Sequence, residues 1–367
     1  MDILYSFPPF ALVLGIIVFF HEFGHFLVGR WCGARIEVFS MGFGHQLCSW
    51  VDRRGTTWRI AAVPLGGYVR YATTGDDGFL ALRLWKRAAI IVAGPLANFV
   101  LAIVVFTALF LLNGRPIEVE GDFALRPVVG ALIPGHAAEE AGLKPGDLIL
   151  AIDGAPVRYY RDLGHMVDGS NGKPLAFRVR RAGAEVTLNV TPQFREVKTP
   201  EGTLSRPRIG VRSSEDPADL VREWTDPLHA LGWGAEETWK IVAHTGAYVG
   251  DLFAGRQDAA QLTGPIGIAE VTGEMAQNAQ KTGIWPFFNL IGALSVSIGL
   301  LNLMPVPMLD GGHLLFYAIE AARGRALRAK TQQYAFRFGL AMVGALMLFS
   351  TYNDLYRLIR RLTGGDS

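Results

Sequence analysis

The apolar run from Ala88 to Leu112 contains no charged side chain. As a helix it would reach ~37 Å, longer than the ~30 Å hydrocarbon core of a bilayer. Such a segment satisfies its own backbone hydrogen bonds in lipid, and outside a membrane it would need burial on every side. Three more runs follow the same logic. Phe7 to Val28 is interrupted only by His21-Glu22-Phe23-Gly24-His25. Ile284 to Leu309 is uncharged, with Pro286, Pro305 and Pro307 set to bend or break its ends. Phe338 to Tyr352 is shorter, and its Gly339, Ala341, Gly344 and Ala345 suit close packing on neighbouring helices. With 50% apolar residues and 19% charged, the composition agrees. The expected fold class is a polytopic α-helical membrane protein with about four transmembrane helices.

Charge sets the expected orientation. Residues 30–87 carry Arg30, Arg35, Arg53, Arg54, Arg59, Arg70, Arg83, Lys86 and Arg87, and residues 323–337 carry Arg323, Arg325, Arg328, Lys330 and Arg337. Both segments should face the cytoplasm, which leaves the N-terminus and the long 113–283 segment outside. The tail, with Arg357, Arg360 and Arg361, would then lie outside against the rule; the two basic loops outweigh it. The start lacks a basic n-region and a small-residue cleavage site before Arg30, so it reads as a retained anchor. A net charge of +2, without blocks of Lys and Arg interleaved with aromatics, excludes nucleic acid as a partner. Cys32 and Cys48 form no CxxC pair and are expected as free thiols in the cytoplasmic loop.

Between the second and third runs the pattern becomes that of a small β-rich domain. Strands are expected at Val128–Ile133, Leu148–Ile152, Leu175–Arg180 and Glu185–Val190, and helices at Ala137–Gly142 and Tyr159–Met166. This order, with Gly142-Leu-Lys-Pro-Gly-Asp147, resembles a PDZ domain of the bacterial protease type, which can take a peptide as an added strand. A plain spacer is the alternative. Ile36 to Tyr71 alternates around Pro64-Leu-Gly-Gly-Tyr68 and reads as a membrane-associated β-hairpin. Residues 226–256, with Trp233, Trp239 and Tyr248, read as an amphipathic stretch at the outer interface, too polar to span. The expected division is 1–112, a first membrane half; 113–213, the PDZ-like domain outside the cytoplasm; 214–283, an interfacial connector; and 284–367, a second membrane half.

The chemistry concentrates in the first run. His21-Glu22-Phe23-Gly24-His25 fits H-E-x-x-H. On a helix, positions i and i+4 share a face, so both imidazoles can reach one metal ion, and Glu22 can take a proton from an attacking water. Two imidazoles and a carboxylate in a bilayer-spanning helix are costly unless they face a cavity or bind something. The plain alternative is a helix that ends near Phe20, with the cluster capping it. A zinc site with two histidines needs a third protein ligand, and Asp310 in Asn302-Leu-Met-Pro-Val-Pro-Met-Leu-Asp-Gly-Gly312 is the candidate, with His313 as a rival. Taken alone, Asp310 could be a helix-terminal carboxylate beside a Gly-Gly turn. His45, His136, His165, His229 and His244 have no ligand-like spacing. A peptide-binding scaffold without catalysis and a metal transporter are the rival functions. The first has no need of Glu22, and the second lacks another polar station in the remaining runs.

His-Glu-Phe-Gly-His, then Ala93-Gly-Pro-Leu-Ala-Asn-Phe99, then Gly264-Pro-Ile-Gly-Ile268 and Asn302 through Gly312 resemble, in this order and over nearly the whole chain, the site-2 protease family. The form with a single PDZ-like domain is similar to the bacterial proteases that regulate sigma-E, whose usual enterobacterial form has two such domains. The resemblance implies a Zn2+-dependent endopeptidase of the bacterial inner membrane performing regulated intramembrane proteolysis. Its substrates would be single-span proteins trimmed beforehand, such as anti-sigma factors, and remnant signal peptides, all within the lipid bilayer. It also implies His21, His25 and Asp310 as metal ligands, Glu22 as the base, and Asn302, Pro305 and Pro307 as substrate-binding residues.

Overall fold

A computed structural model describes residues 3–199, 202–256 and 264–362. Two compact units emerge, one made of Met1–Leu112 with Asp226–Ser367 and the other of Asn113–Thr225.

The chain opens with helix α1 (Ile3–Cys32), whose apolar length carries it straight through the His-Glu-Phe-Gly-His cluster without a break. Strands β1 (Ile36–Val51) and β2 (Thr57–Tyr71) follow and pair antiparallel. Their register makes this a folded sheet: 36–41 pairs with 67–71, 48–51 with 57–60, and 38–41 also meets 57–60. Asp52 closes the turn by accepting the N–H groups of Arg54 and Thr56, and its other oxygen pairs with Arg30 at the end of α1. Phe26, Ile36 and Phe39 are buried between helix and sheet, with Phe23, Trp58 and Tyr71 packed around them. Phe43, Leu47, Trp50 and Val63 remain exposed on the sheet. Helix α2 (Leu84–Asn113) then buries Ile90, Gly94, Asn98 and Leu101. Both cysteines are free thiols; Cys32 ends α1 rather than lying in a loop, and Cys48 is an exposed residue of β1.

In the second unit, short strands β3 (Arg115–Pro116), β4 (Glu118–Val119), β5 (Asp122–Phe123) and β6 (Val129–Leu132) lead to helix α3 (Ala137–Glu140). Next come β7 (Leu148–Ile152), β8 (Ala155–Pro156), helix α4 (Tyr160–Gly169), β9 (Leu175–Arg181) and β10 (Ala184–Val190). These form a four-stranded sheet in the order β10-β9-β7-β8 over a core of Val129, Ile149, Leu163, Phe177 and Val179. The alternation in the sequence matches these strands closely. It gave no sign of the antiparallel pair β11 (Gln193–Thr199) and β12 (Gly202–Arg208), nor of β13 (Val211–Ser213) pairing with β6. Finally β14 (Arg222–Glu223) pairs with β3, near the end of the unit.

The remaining chain is helical. In α5 (Pro227–Phe253), Asp226 caps the first turn by accepting the N–H groups of Leu228 and His229, with Pro227 at the first helical position. Ala230, Trp233, Ile241 and Val242 of α5 pack against Phe106, Leu109 and Phe110, while Trp239 is exposed. Helix α6 (Pro265–Thr282) starts with its Gly264 and Gly267 N–H groups donated to the buried carboxylate of Asp354. Helix α7 (Trp285–Asn302) stops short of Pro305, as the prolines require, and α8 (Asp310–Arg323) begins after a tight loop. Asp310 therefore opens a helix of its own instead of ending the third run. Asp354 lies in α9 (Ala329–Leu362), which is much longer than the fourth run because the basic segment before Phe338 is helical too. Of its four small residues only Gly339 is packed, against the Pro307 carbonyl; Ala341 and Ala345 are exposed, and Gly344 faces open space. Four helices among the described residues are long and apolar enough to cross a membrane: Ser6–Cys32, Leu84–Asn113, Trp285–Asn302 and Ala329–Arg360.

Candidate metal centre

His21 and His25 stand one turn apart on α1, and Asp310 comes to them from the first residue of α8. Asp310 Oδ2 lies 3.1 Å from His21 Nε2 and 3.4 Å from His25 Nε2, and the two nitrogens are 3.3 Å apart. Ligands bound tetrahedrally to zinc at ~2.0–2.1 Å stand about 3.3–3.4 Å from one another, so the triangle fits that ion closely. Asp310 Oδ2 is also buried without an aligned hydrogen bond. Three electron-rich atoms converging in a buried place are costly unless a cation holds them.

Glycine makes this convergence possible. A Cβ on Gly24 would lie 2.3 Å from the Ala93 carbonyl oxygen, so only glycine at this inner position of the H-E-x-x-H motif lets α1 approach α2 so closely. Across the contact, a Cβ on Gly94 would lie 2.3 Å from His25 Nε2, so the imidazole occupies the space of a missing side chain. The His25 Nδ1–H donates to the Ile90 carbonyl at 2.8 Å, which leaves Nε2 with its lone pair facing the centre. The Tyr71 hydroxyl donates to the His25 carbonyl at 2.9 Å and lies against Gly29. On the other side, Gly311 and Gly312 sit under the carbonyls of Leu303, Met304 and Val306, where a Cβ has no room. Met308 in this loop adopts φ 102°, an uncommon conformation for a residue with a side chain.

The three residues open on a cavity of about 640 Å³ that also holds Glu22, Asn302 and His313. It is also lined by the Gly66–Val69 stretch of β2, which pairs with β1 on one side only among the described residues. Gly67 lies so near Glu22 that a Cβ would be 3.0 Å from Glu22 Cγ, and the Val69 N–H faces the Glu22 carboxylate.

His21, Glu22, His25, Asp310 and Asn302 are thus brought together. Pro305 and Pro307 are not: neither lines the cavity, and they shape the loop behind it, with Pro307 against Gly339. The ring of His313 packs on Phe316 and Phe336, outside the converging group. Among the described residues no other His, Cys, Asp or Glu group converges in this way. Sequence reasoning passed over Tyr71 and Met308, and it quoted Asn98 within a motif without giving a role to its side chain, which reaches His21. Only Asn98 carried a signal, as an amide in an otherwise apolar run.

Comparison with known proteins follows the same line. The model of Peptidase family M50 matches residues 9–346. A candidate zinc metalloprotease of Rhizobium meliloti is 44% identical, with 96% of each chain covered. A candidate zinc metalloprotease of Agrobacterium fabrum is 43% identical, again over 96% of both chains. Metalloprotease MmpA of Caulobacter vibrioides is 38% identical over 94% of each. With a family match over most of its length, four helices suited to a membrane and a triangle of donors suited to zinc, the chain belongs to peptidase family M50, the site-2 proteases, and is a membrane zinc metalloprotease.

Proposed function

We propose that this protease cuts within the transmembrane segments of single-span membrane proteins already trimmed outside the membrane, with anti-sigma factors and remnant signal peptides as its substrate classes. His21, His25 and Asp310 hold the zinc, Glu22 is the base, and Asn302 at the end of α7 contacts substrate, next to the loop shaped by Pro305 and Pro307. The observation that carries this reading is the convergence of Asp310 from α8 on His21, Glu22 and His25 of a helix long and apolar enough to span a membrane, beside a strand paired on one side only among the described residues.

Zinc, when bound, acidifies a water and polarises the scissile carbonyl. Glu22 lies beside both histidines, in position to take the proton of the attacking water and return it to the leaving nitrogen. A helical substrate hides its carbonyls in its own hydrogen bonds and must unwind locally before attack. The free edge of β2 between Gly66 and Val69 offers replacement partners to the unwound stretch, as an added strand. The 113–213 region, read as PDZ-like, acts as a filter against untrimmed substrates on the periplasmic side of the inner membrane. The Trp-rich stretch of α5 lies at the interface on that side.

The test is cleavage of a pre-trimmed single-span substrate by the purified protein in detergent, beside Glu22→Gln. Product from the wild type, and a loss of at least ~100-fold in Glu22→Gln with zinc content unchanged, is the expected result. Equal rates for both would remove Glu22 from the chemistry.

A further inference from the structure

Asn98 is fully buried in a membrane-spanning helix, where an amide without a task is expensive. It is also held firmly. The Ser295 hydroxyl, itself buried, donates to the Asn98 carbonyl at 3.0 Å, and Gly299 leaves only enough room for the Asn98 Cβ, 3.2 Å from where its own would be. Three helices therefore meet at this residue, α2 carrying it, α7 clamping it and α1 presenting His21 to it. The amide end lies 3.3 Å from His21 Nδ1, and the Asn98 Oδ1 atom is buried without a partner.

Nitrogen and oxygen of a carboxamide exchange places by a half-turn, so hydrogen-bond logic decides which faces the ring. If the amide nitrogen donates to His21 Nδ1, the ring proton must sit on Nε2, which points at Asp310 and His25 and is then unable to bind a metal. If the oxygen faces the ring, Nδ1 carries the proton and Nε2 keeps its lone pair. His25 already follows the second pattern, with the Ile90 carbonyl as its acceptor. Among the described residues, His21 has no other hydrogen-bonding group at its Nδ1.

We propose that Asn98 is a positioning residue: its Oδ1 accepts the His21 Nδ1–H, fixes the tautomer and ring plane, and so sets the affinity of the centre for zinc. This rests on His21 being a metal ligand. Outer partners of this kind change metal affinity by roughly 10–100-fold.

Zinc affinity of the full-length protein in detergent, measured by chelator competition, provides a readout independent of proteolysis. Asn98→Leu keeps the volume and removes the acceptor, and it should weaken zinc binding roughly 10–100-fold. Asn98→Asp offers oxygen in both positions and should remain within about tenfold of the wild type. His21→Ala serves as the reference. If it binds zinc as the wild type does, the ligand assignment itself fails. If His21→Ala loses zinc while Asn98→Leu keeps wild-type affinity, only the role of Asn98 is overturned. Loss in Asn98→Asp equal to that in Asn98→Leu would also overturn it, since an acceptor oxygen facing His21 Nδ1 would then not be what sustains zinc binding. Should Asn98→Leu fail to fold, Asn98→Ala against Asn98→Asp decides the same question.

Discussion

Gly94 has no functional group, yet His25 keeps its place at the centre only because no side chain stands there. Gly94→Ala would drive a methyl group into His25 Nε2, the atom that faces Asp310. The expected outcome is a zinc affinity lower by at least ~10-fold and a matching loss of cleavage, in a protein whose helix content by circular dichroism is unchanged. Gly15→Ala, which meets nothing within 4 Å, should have neither effect. Gly24→Ala acts differently, by pushing against the Ala93 backbone, and should destabilise the fold by about 1–3 kcal/mol in thermal unfolding. At this scale the sequence was legible where the reason is local. Two histidines one turn apart share a face on any helix, whereas the helix that Asp310 opens was not read, since a carboxylate before Gly-Gly can end a helix as well as start one. The roles of Gly94 and Asn98 were not legible, because each exists only through a partner on α1 that no spacing along the chain reveals.

At the scale of elements, β2 is tied to the centre from two directions. Its free edge lines the cavity, and its turn is fastened to α1 through Asp52. Val69→Pro removes the N–H that faces Glu22 and should slow cleavage while zinc content stays normal, as read by metal analysis and substrate turnover on the same preparation. Unchanged turnover would separate that edge from substrate handling. Burial alone would raise the Asp52 carboxyl, but the Trp58 ring N–H, the Arg30 guanidinium and the Arg54 and Thr56 N–H groups outweigh it and hold the group at about 2. A carboxyl depressed by folding gives its full stabilisation above its unfolded value of about 3.9 and loses it as pH falls toward 2. The wild type should therefore exceed Asp52→Asn in thermal stability by ~1 kcal/mol at pH 6, after allowance for solvent screening, and the difference should vanish near pH 2. The spans were legible at this scale because hydropathy over a long window is insensitive to detail. The length of α9 was not, since a basic segment looks the same in a loop and in a helix that emerges from the membrane.

For the whole molecule, the pairing of β3 with β14 means that the second unit leaves and rejoins the chain through adjacent strands. Replacing residues 114–224 by a short Gly/Ser linker should leave zinc content unaltered and, if this unit is the filter, permit cleavage of a substrate that still carries its outer domain. A shortened protein that still demands trimmed substrate would place the selection elsewhere. The one-sided edge of β2 has a different consequence. Strand addition pairs backbone with backbone, and every residue except proline offers the same N–H and C=O. A protease that grips its substrate in this way reads no side-chain code at that position. What distinguishes one span from another is then the free energy of uncoiling it, so that glycine and β-branched residues near the cut would mark a substrate, and a run of leucine and alanine would protect a bystander.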